Sequence, residues 1–100
     1  MGWRELLGLP ATPKLHVAVD QGSGPTVVLL HGLASSSVTF THVVPLLVPD
    51  HRVISLDLLG FGSSPSPAHA RFTLEEHVTA VAKTLTSLGV RKPVTLVGHS

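Results

Sequence analysis

Residues 26–30 read Thr26-Val27-Val28-Leu29-Leu30, a continuous β-branched and aliphatic run that follows a turn with two glycines. A strand that is apolar on both faces is typical of a parallel sheet covered by helices on each side. The run therefore predicts a strand at the centre of such a sheet. Its carboxyl end leads into a loop over residues 31–37.

Three further segments have the pattern of strands. Residues 52–57 and 94–97 are short apolar runs that predict buried strands. Residues 14–20 alternate as a half-buried edge strand does, and we expect this strand to form a hairpin with residues 26–30. Residues 1–13 contain two glycines and two prolines, which predict an irregular lead-in.

Two helices are predicted between the buried strands. The first spans the apolar residues of 40–47, with serines before it as N-caps, and Pro45 must shorten or kink it. The second begins at a capping box formed by Thr73 and Glu76 and ends at Gly89. Its apolar side chains share one stripe and predict core packing against the sheet. They are Leu74, Val78, Val81, Ala82, Leu85 and Leu88.

The order strand, helix, strand, helix, strand makes two consecutive βαβ units. These units predict an α/β fold with a mostly parallel sheet and helices on both faces. Ligands of such folds bind in the loops at the carboxyl ends of the strands. We therefore expect a single domain over residues 1–100, with its functional residues in the loops that begin at His31, Asp57 and Gly98.

Composition excludes several functions. Seven Lys and Arg against six Asp and Glu, without runs, predict no nucleic-acid surface. The absence of cysteine excludes disulfides and fits a cytoplasmic location. No apolar run approaches the roughly 20 residues of a membrane span, and the N-terminus lacks the pattern of a secretory signal. The histidines form no pair at metal-site spacing, so we expect no metal and no cofactor.

A nucleotide-binding loop is also disfavoured. Gly60-Phe61-Gly62 follows a predicted strand, as the glycine-rich loop of a dinucleotide-binding fold does. The position that needs the third glycine, however, is Pro65, and the chain has no Gly-Lys-Ser/Thr phosphate loop.

Three short motifs lie in the predicted carboxyl-end loops. They are His31-Gly32-Leu33, an Asp-x-x-Gly-x-Gly-x-Ser pattern over residues 57–64, and Gly98-His99-Ser100. Their order, spacing and position after strands resemble the α/β-hydrolase superfamily, in which they are the oxyanion loop, the loop after the fourth strand and the start of the nucleophile elbow. The resemblance covers roughly residues 14–100. It implies the N-terminal part of an α/β-hydrolase fold, hence an incomplete domain.

The resemblance implies that Ser100 is the nucleophile of a serine hydrolase, which forms an acyl-enzyme with an ester or related acyl substrate. Gly98 would remove a steric clash from the strained elbow. The backbone N–H groups of Leu33 and of residue 101 would stabilise the oxyanion of the tetrahedral intermediate.

The other motif residues are given supporting roles by the same resemblance. His31 and Gly32 shape the oxyanion loop, and His99 occupies the variable elbow position. Asp57 accepts hydrogen bonds that hold the loop of Gly60 and Gly62. The acid and histidine of the family's triad follow the serine, so both would lie beyond residue 100. We therefore expect the 100-residue chain alone to be inactive.

Alternatives stay open. One is a non-catalytic fragment or binding module of the same fold, and another is a carbon–carbon hydrolase, haloperoxidase or peptidase on this fold. Dehalogenases and epoxide hydrolases have similar loops but carry Asp at the nucleophile, which argues against them here. The expected partner is a small-molecule acyl substrate. Neither its identity nor the oligomeric state follows from the sequence.

Overall fold

The computed structural model describes residues 12–91 and 93–99. It contains four strands, β1 (Val17–Gln21), β2 (Thr26–Leu30), β3 (Arg52–Leu56) and β4 (Thr95–Gly98). The helical segments are a 3₁₀ helix (Ser37–Phe40), α1 (Val44–Leu47) and α2 (Leu74–Ser87). Most of the predicted lead-in, residues 1–11, lies outside the described residues, and so does Ser100.

The four strands form one sheet in the order β1-β3-β2-β4. Strand β2 pairs in parallel with β3 on one side and with β4 on the other, whereas β1 pairs with β3 in antiparallel orientation. Both neighbours of the apolar strand β2 are therefore parallel, as its composition predicts. The expected mostly parallel α/β sheet is confirmed.

The predicted hairpin between β1 and β2 is wrong. Both edges of β2 are occupied by parallel partners, so β1 crosses to the free edge of β3. The turn between β1 and β2 packs against the start of β3, where the Arg52 N–H donates to the Pro25 carbonyl at 3.0 Å. The Arg52 side chain donates two hydrogen bonds of 2.9 Å to the Asp20 carboxylate of β1 and one to the Leu88 carbonyl. These contacts fix β1, in which only Val17 and Val19 are partly buried, at the edge of the sheet.

Helices cover both faces of the sheet. On one face α2 packs over a buried cluster that comprises Leu15, Val28, Ile54, Leu56, Leu59 and Ala80. On the other face the 3₁₀ helix and α1 cover a second cluster, formed by Val27, Leu29, Phe40, Val44 and Val53. Alternate residues of β2 and β3 enter opposite clusters, which is the side-chain period of a strand. The two apolar layers explain why these strands carry no polar face.

The first predicted helix is split into two short segments. The Ser36 side chain accepts the Val38 N–H and caps the 3₁₀ helix, as the serines predicted. Pro45 lies in the first turn of α1, where the missing N–H has no partner to lose. Pro45 therefore lies at the start of a short helix that begins at Val44, and it does not kink a longer one.

Both predicted ends of α2 are confirmed. The Thr73 hydroxyl accepts the Glu76 N–H at 3.1 Å, and Gly89 has a φ of 77° after the last turn. The second half of the capping box differs, because the Glu76 carboxylate accepts the N–H of Arg71, at 2.9 Å. That N–H lies two residues before the cap, so the carboxylate also fixes the entry into the helix.

The apolar stripe of α2 is only partly core. Val81, Leu85 and Leu88 pack against the buried cluster, but Leu74 is 80% and Val78 58% exposed. The fully buried contacts of α2 come from Ala80 and Thr84, whose hydroxyl accepts the Leu15 N–H and donates to the Ala80 carbonyl. The prediction of complete core packing is therefore wrong for Leu74 and Val78, which line an open groove instead of packing into the buried cluster. This open apolar groove of about 480 Å³ is lined by side chains of α2 from Leu74 to Leu85 and by Leu30 of β2 and Leu96 of β4, and it is named below the α2–β4 groove.

Strand β4 forms an apolar outer edge, which predicts self-association of the isolated 100-residue chain. Leu96 is 59% exposed and lies in the α2–β4 groove. Leu96→Lys should therefore raise the concentration at which aggregates appear about tenfold. This factor corresponds to the free energy that burial of one leucine side chain contributes to association. Light scattering measures this concentration. Leu46→Lys is the control, because Leu46 is 77% exposed on α1. A cooperatively unfolding, monomeric wild-type chain would contradict the prediction.

None of the helices in residues 12–91 and 93–99 combines the length and the apolar character that a membrane crossing requires.

Candidate active site

The parallel register brings three loops to one edge of the sheet. Leu30 at the end of β2 is paired with Leu56 of β3 and with Gly98 of β4. The first loop (residues 31–37), the second loop (residues 57–65) and His99 therefore begin side by side. The His99 N–H donates to the Leu30 carbonyl at 3.1 Å, which continues the pairing of β2 and β4 past the last strand residue.

His31 bridges the first and second loops. Its side chain is buried, and its Nε2 accepts the Leu58 N–H at 2.8 Å. Because an N–H can only donate, the ring proton must be on Nδ1, which lies 2.7 Å from the Gly32 carbonyl oxygen. Phe61 of the second loop packs edge-on against the ring at a centroid distance of 6.0 Å. The histidine is thus held as a neutral tautomer with a partner on each nitrogen.

Asp57 makes a second connection between the same loops. One carboxylate oxygen accepts the Ser37 N–H at 2.7 Å, and the other accepts the Ser63 N–H at 3.1 Å. Burial acts to raise the pKa of the Asp57 carboxyl, but the hydrogen bonds from Ser37 and Ser63, together with the charge of His16, outweigh it and hold that pKa below its ordinary value. The carboxylate therefore stabilises both loops in its ionised form.

Asp57→Asn should make folding less stable in a pH-dependent way. The folded-state pKa of Asp57 is lowered, so its contribution is complete above the unfolded value of about 3.9 and is lost as the pH falls through the folded value. At pH 7 the change should lower the free energy of unfolding by about 2 kcal/mol, the contribution of a hydrogen bond to a buried charge. Urea unfolding of the wild type and of Asp57→Asn, at pH 7 and below pH 3, measures the difference in their free energies of unfolding.

Asp20→Asn is the matched control for this experiment. The pKa of Asp20 is also lowered, by its hydrogen bond and charge interaction with Arg52 against a smaller effect of burial. Its side chain is 29% exposed, so the loss should stay below about 1 kcal/mol. An equal loss for both variants, or an Asp57→Asn loss that is unchanged below pH 3, would contradict the role of the buried carboxylate.

The second loop is folded tightly around Asp57. The Ser64 hydroxyl donates to the Asp57 carbonyl and accepts the His16 N–H, which ties the loop to the segment before β1. A Cβ atom on Gly62 would lie 2.4 Å from the Asp57 carboxyl carbon, and Gly62 has a φ of 54°. Only glycine fits this position without a shift of the carboxylate. The Asp-x-x-Gly-x-Gly-x-Ser spacing is therefore explained by contacts within the loop.

The first loop has unused backbone donors between its two connections. None of the N–H groups of residues 32–36 donates a hydrogen bond to any residue in 12–91 or 93–99. Ala34 has a φ of 56°, a left-handed conformation, and the side chain of Leu33 is 79% exposed. The loop therefore presents backbone donors that have no partner among residues 12–91 and 93–99, including that of Leu33, at the carboxyl edge of the sheet.

The third loop is described only to His99. A Cβ atom at Gly98 meets nothing within 4 Å in the described part of the chain, so the steric role of Gly98 in an elbow stays a prediction. His99 has an exposed side chain. The nucleophile predicted at Ser100 lies outside the described residues. Among those residues no three His, Asp or Glu side chains come close enough to hold a metal ion.

Three contacts of this site could not be predicted from the sequence. Ser37 contributes through its backbone N–H, which no sequence pattern marks. Phe61 occupies a variable position of the second motif and still covers His31. Ser64 belongs to the motif, but its bond to the His16 N–H crosses 48 residues of sequence. The shared signal is proximity across the sheet edge, which becomes visible only after the strands are paired.

A mostly parallel sheet with helices on both faces and functional loops at its carboxyl edge is the architecture of an α/β fold. A family model described as "alpha/beta hydrolase fold" matches residues 25–100. The chain belongs to this family, and the predicted resemblance is confirmed.

Individual relatives agree with this assignment. The chain is 41% identical over 78 residues to a protein named probable lysophospholipase BODYGUARD 3 from Arabidopsis thaliana, covering 74% of this chain and 16% of that protein. A bromoperoxidase structure from Bacillus anthracis matches with a TM-score of 0.75 and 31% identity, over 87% of this chain and 35% of that one. An esterase structure from a marine microorganism matches with a TM-score of 0.78 and 25% identity, over 88% of this chain and 33% of that one. The chain spans less than a third of the length of the curated relatives it matches first.

Proposed function

We propose that this chain is the N-terminal part of a longer serine hydrolase, in which Ser100 attacks an ester or related acyl substrate. The observation that carries the proposal is the pairing of Leu30 with Gly98. It sets the first loop, whose N–H groups at residues 32–36 have no partner in the described part of the chain, next to the end of the strand that leads to Ser100. Acyl transfer needs a nucleophile and a hydrogen-bond donor for the developing oxyanion close to each other.

The reaction follows from these groups. The Ser100 hydroxyl loses its proton to a base and adds to the substrate carbonyl, whose oxygen becomes negatively charged. The Leu33 N–H and the N–H of residue 101 stabilise that oxyanion. Collapse of the intermediate expels the alcohol, which takes up the proton, and leaves an acyl group on Ser100. Water then releases the acid by the same steps in reverse order.

The rest of the chemistry is assigned to residues after position 100. The acid and the histidine base of an α/β-hydrolase triad follow the nucleophile in chain order. For this reason His31 is not assigned as the base, and its two nitrogens are already engaged with Leu58 and Gly32. The 100-residue chain by itself is expected to show no triad-dependent turnover.

Two of the similar proteins have names that support an acyl substrate without identifying it, whereas other similar structures are named epoxide hydrolase or haloalkane dehalogenase. One relative is named a lysophospholipase and one similar structure an esterase, and both names refer to ester hydrolysis. Another similar structure is named a bromoperoxidase, so the fold alone does not fix the reaction. The ester-hydrolase assignment rests on Ser100 and the backbone donors of the first loop.

A fluorophosphonate probe tests the assignment of the nucleophile. The probe forms a covalent bond only with an activated serine, so the full-length protein should be labelled at Ser100, as mapped by mass spectrometry of the tryptic peptide. The 100-residue chain should stay unlabelled under the same conditions. Absence of labelling in the folded full-length protein would instead support the non-catalytic member of the family.

A further inference from the structure

The first loop is attached to the second loop at both of its ends. At the start of the first loop, His31 Nε2 accepts the Leu58 N–H at 2.8 Å. At its end, the Ser37 N–H donates to the Asp57 carboxylate at 2.7 Å. The two attachment points on the second loop are consecutive residues, so one rigid corner holds both ends of a seven-residue segment.

The segment between the two attachments has few other connections, and those to the following helix lie at its end, where the Ser36 carbonyl accepts the Thr39 N–H at 3.1 Å and the Ser35 and Thr39 hydroxyls lie 2.7 Å apart. Residues 32–36 donate no N–H hydrogen bond within the described part of the chain, and Leu33, Ala34 and Val38 are exposed. The position of the Leu33 N–H therefore depends on the two ends of the segment more than on contacts of its own. A displacement of about 1 Å at a reacting group can lower a rate about a hundredfold.

We propose that His31 and Asp57 are positioning residues, which together set the place of the Leu33 N–H relative to Ser100 by clamping the first loop to residues 57–58. This inference rests on the proposed function, because only there is the Leu33 N–H assigned to the oxyanion. Neither residue touches the substrate. His31 acts through the Leu58 and Gly32 backbones, and Asp57 acts through Ser37.

The chemistry of the His31 contact explains why the residue type matters. The ring must accept at Nε2 and donate at Nδ1, and both atoms are buried, so loss of either partner leaves an unsatisfied polar group. Phe61 covers the ring and keeps water from replacing the lost partner. A glutamine side chain can place an acceptor near the position of Nε2, whereas an asparagine side chain reaches only the position of Nδ1. His31→Gln therefore keeps the contact with the second loop, whereas His31→Asn keeps only the contact within the first loop.

The test compares His31→Gln with His31→Asn in the full-length protein, with p-nitrophenyl acetate as the substrate. His31→Asn should lower kcat about tenfold to a hundredfold, less than or equal to the loss of a whole oxyanion donor, with KM nearly unchanged. His31→Gln should recover most of kcat. Asp57→Asn should also lower kcat without raising KM. Thermal unfolding identifies any variant that fails to fold.

His51→Asn is the matched control. The Nδ1 atom of His51 also lies beside a backbone carbonyl oxygen, that of Leu47, at 3.3 Å, but the residue precedes β3 and lies at the opposite end of the sheet from the loops. Its kcat should equal that of the wild type. Equal kcat values for His31→Asn and wild type, or a loss that His31→Gln does not recover, would overturn the clamp while leaving the assignment of Ser100 intact.

Amide hydrogen exchange keeps the clamp testable if the proposed function fails. If the wild type is neither labelled by fluorophosphonate nor active on p-nitrophenyl acetate, the proposed function is wrong, and exchange alone decides on the clamp. The Leu58 and Ser37 amides should exchange faster in His31→Asn than in His31→Gln and wild type. Unchanged exchange at both amides in His31→Asn would overturn it.

Discussion

Ser100→Ala should lower kcat of the full-length protein by about a millionfold, which is the scale of loss when the nucleophile of a serine hydrolase is removed. The alanine keeps the backbone and removes only the hydroxyl oxygen, so folding and substrate binding should be little changed. Steady-state hydrolysis of p-nitrophenyl acetate measures kcat and KM. Residual activity should stay about a thousandfold to ten-thousandfold above the rate in water, because the oxyanion donors are still present.

Ser63→Ala provides the control for the loss of a serine. Its side chain is exposed in the second loop, and the interaction with Asp57 uses its backbone N–H, which alanine retains. Its kcat should match that of the wild type. A Ser100→Ala variant that keeps more than about a tenth of the wild-type kcat would remove the nucleophile assignment, since a removed nucleophile costs far more than tenfold.

The parts of the fold that were predictable are those with a local cause. The apolar runs of β2 and β3 have two buried faces, and only a covered parallel sheet supplies both. The ends of α2 follow from the Thr73 hydroxyl and the left-handed Gly89, which act within a few residues. Order and spacing of three loop motifs then sufficed for the family, because each motif follows a strand that could be recognised by itself.

The predictions that were wrong depend on contacts between elements that are distant in the sequence. The partner of β1 depends on which edges of the sheet are already occupied, and a period-2 pattern carries no information about that. The exposure of Leu74 and Val78 depends on what lies beneath α2, whereas the helical pattern gives only the side on which they lie. In both cases the pattern predicted the element itself correctly, but it did not predict which element packs against it.

The contacts of the candidate site could not be predicted either, because they also join residues that are distant in the sequence. The bond from Leu58 to His31 spans 27 residues and that from Ser37 to Asp57 spans 20. The two donors are backbone N–H groups, which every residue type except proline carries. The resemblance marked the acceptors His31 and Asp57, while their partners follow only from the pairing of β2 with β3.

Gly62→Ala should be the most destabilising small substitution in the second loop. Both Gly62 and Gly89 have a left-handed backbone, with φ values of 54° and 77°, so alanine at either position loses about 1 kcal/mol or slightly more. At Gly62 the new methyl group would also lie 2.6 Å from both Asp57 carboxylate oxygens. The carboxylate must move, and its hydrogen bonds to the Ser37 and Ser63 N–H groups weaken. The total loss of unfolding free energy should reach about 3–5 kcal/mol.

Gly89→Ala separates the clash from the backbone effect, because nothing lies within 4 Å of its added Cβ. It should lose only the backbone part, about 1–2 kcal/mol. Urea unfolding of the full-length protein at pH 7 measures both variants. The double variant Gly62→Ala/Asp57→Ala should be less than additive, since a shortened side chain no longer meets the methyl group. Equal losses for Gly62→Ala and Gly89→Ala would mean that the second loop yields easily, and a loop that yields easily could not hold the first loop in place.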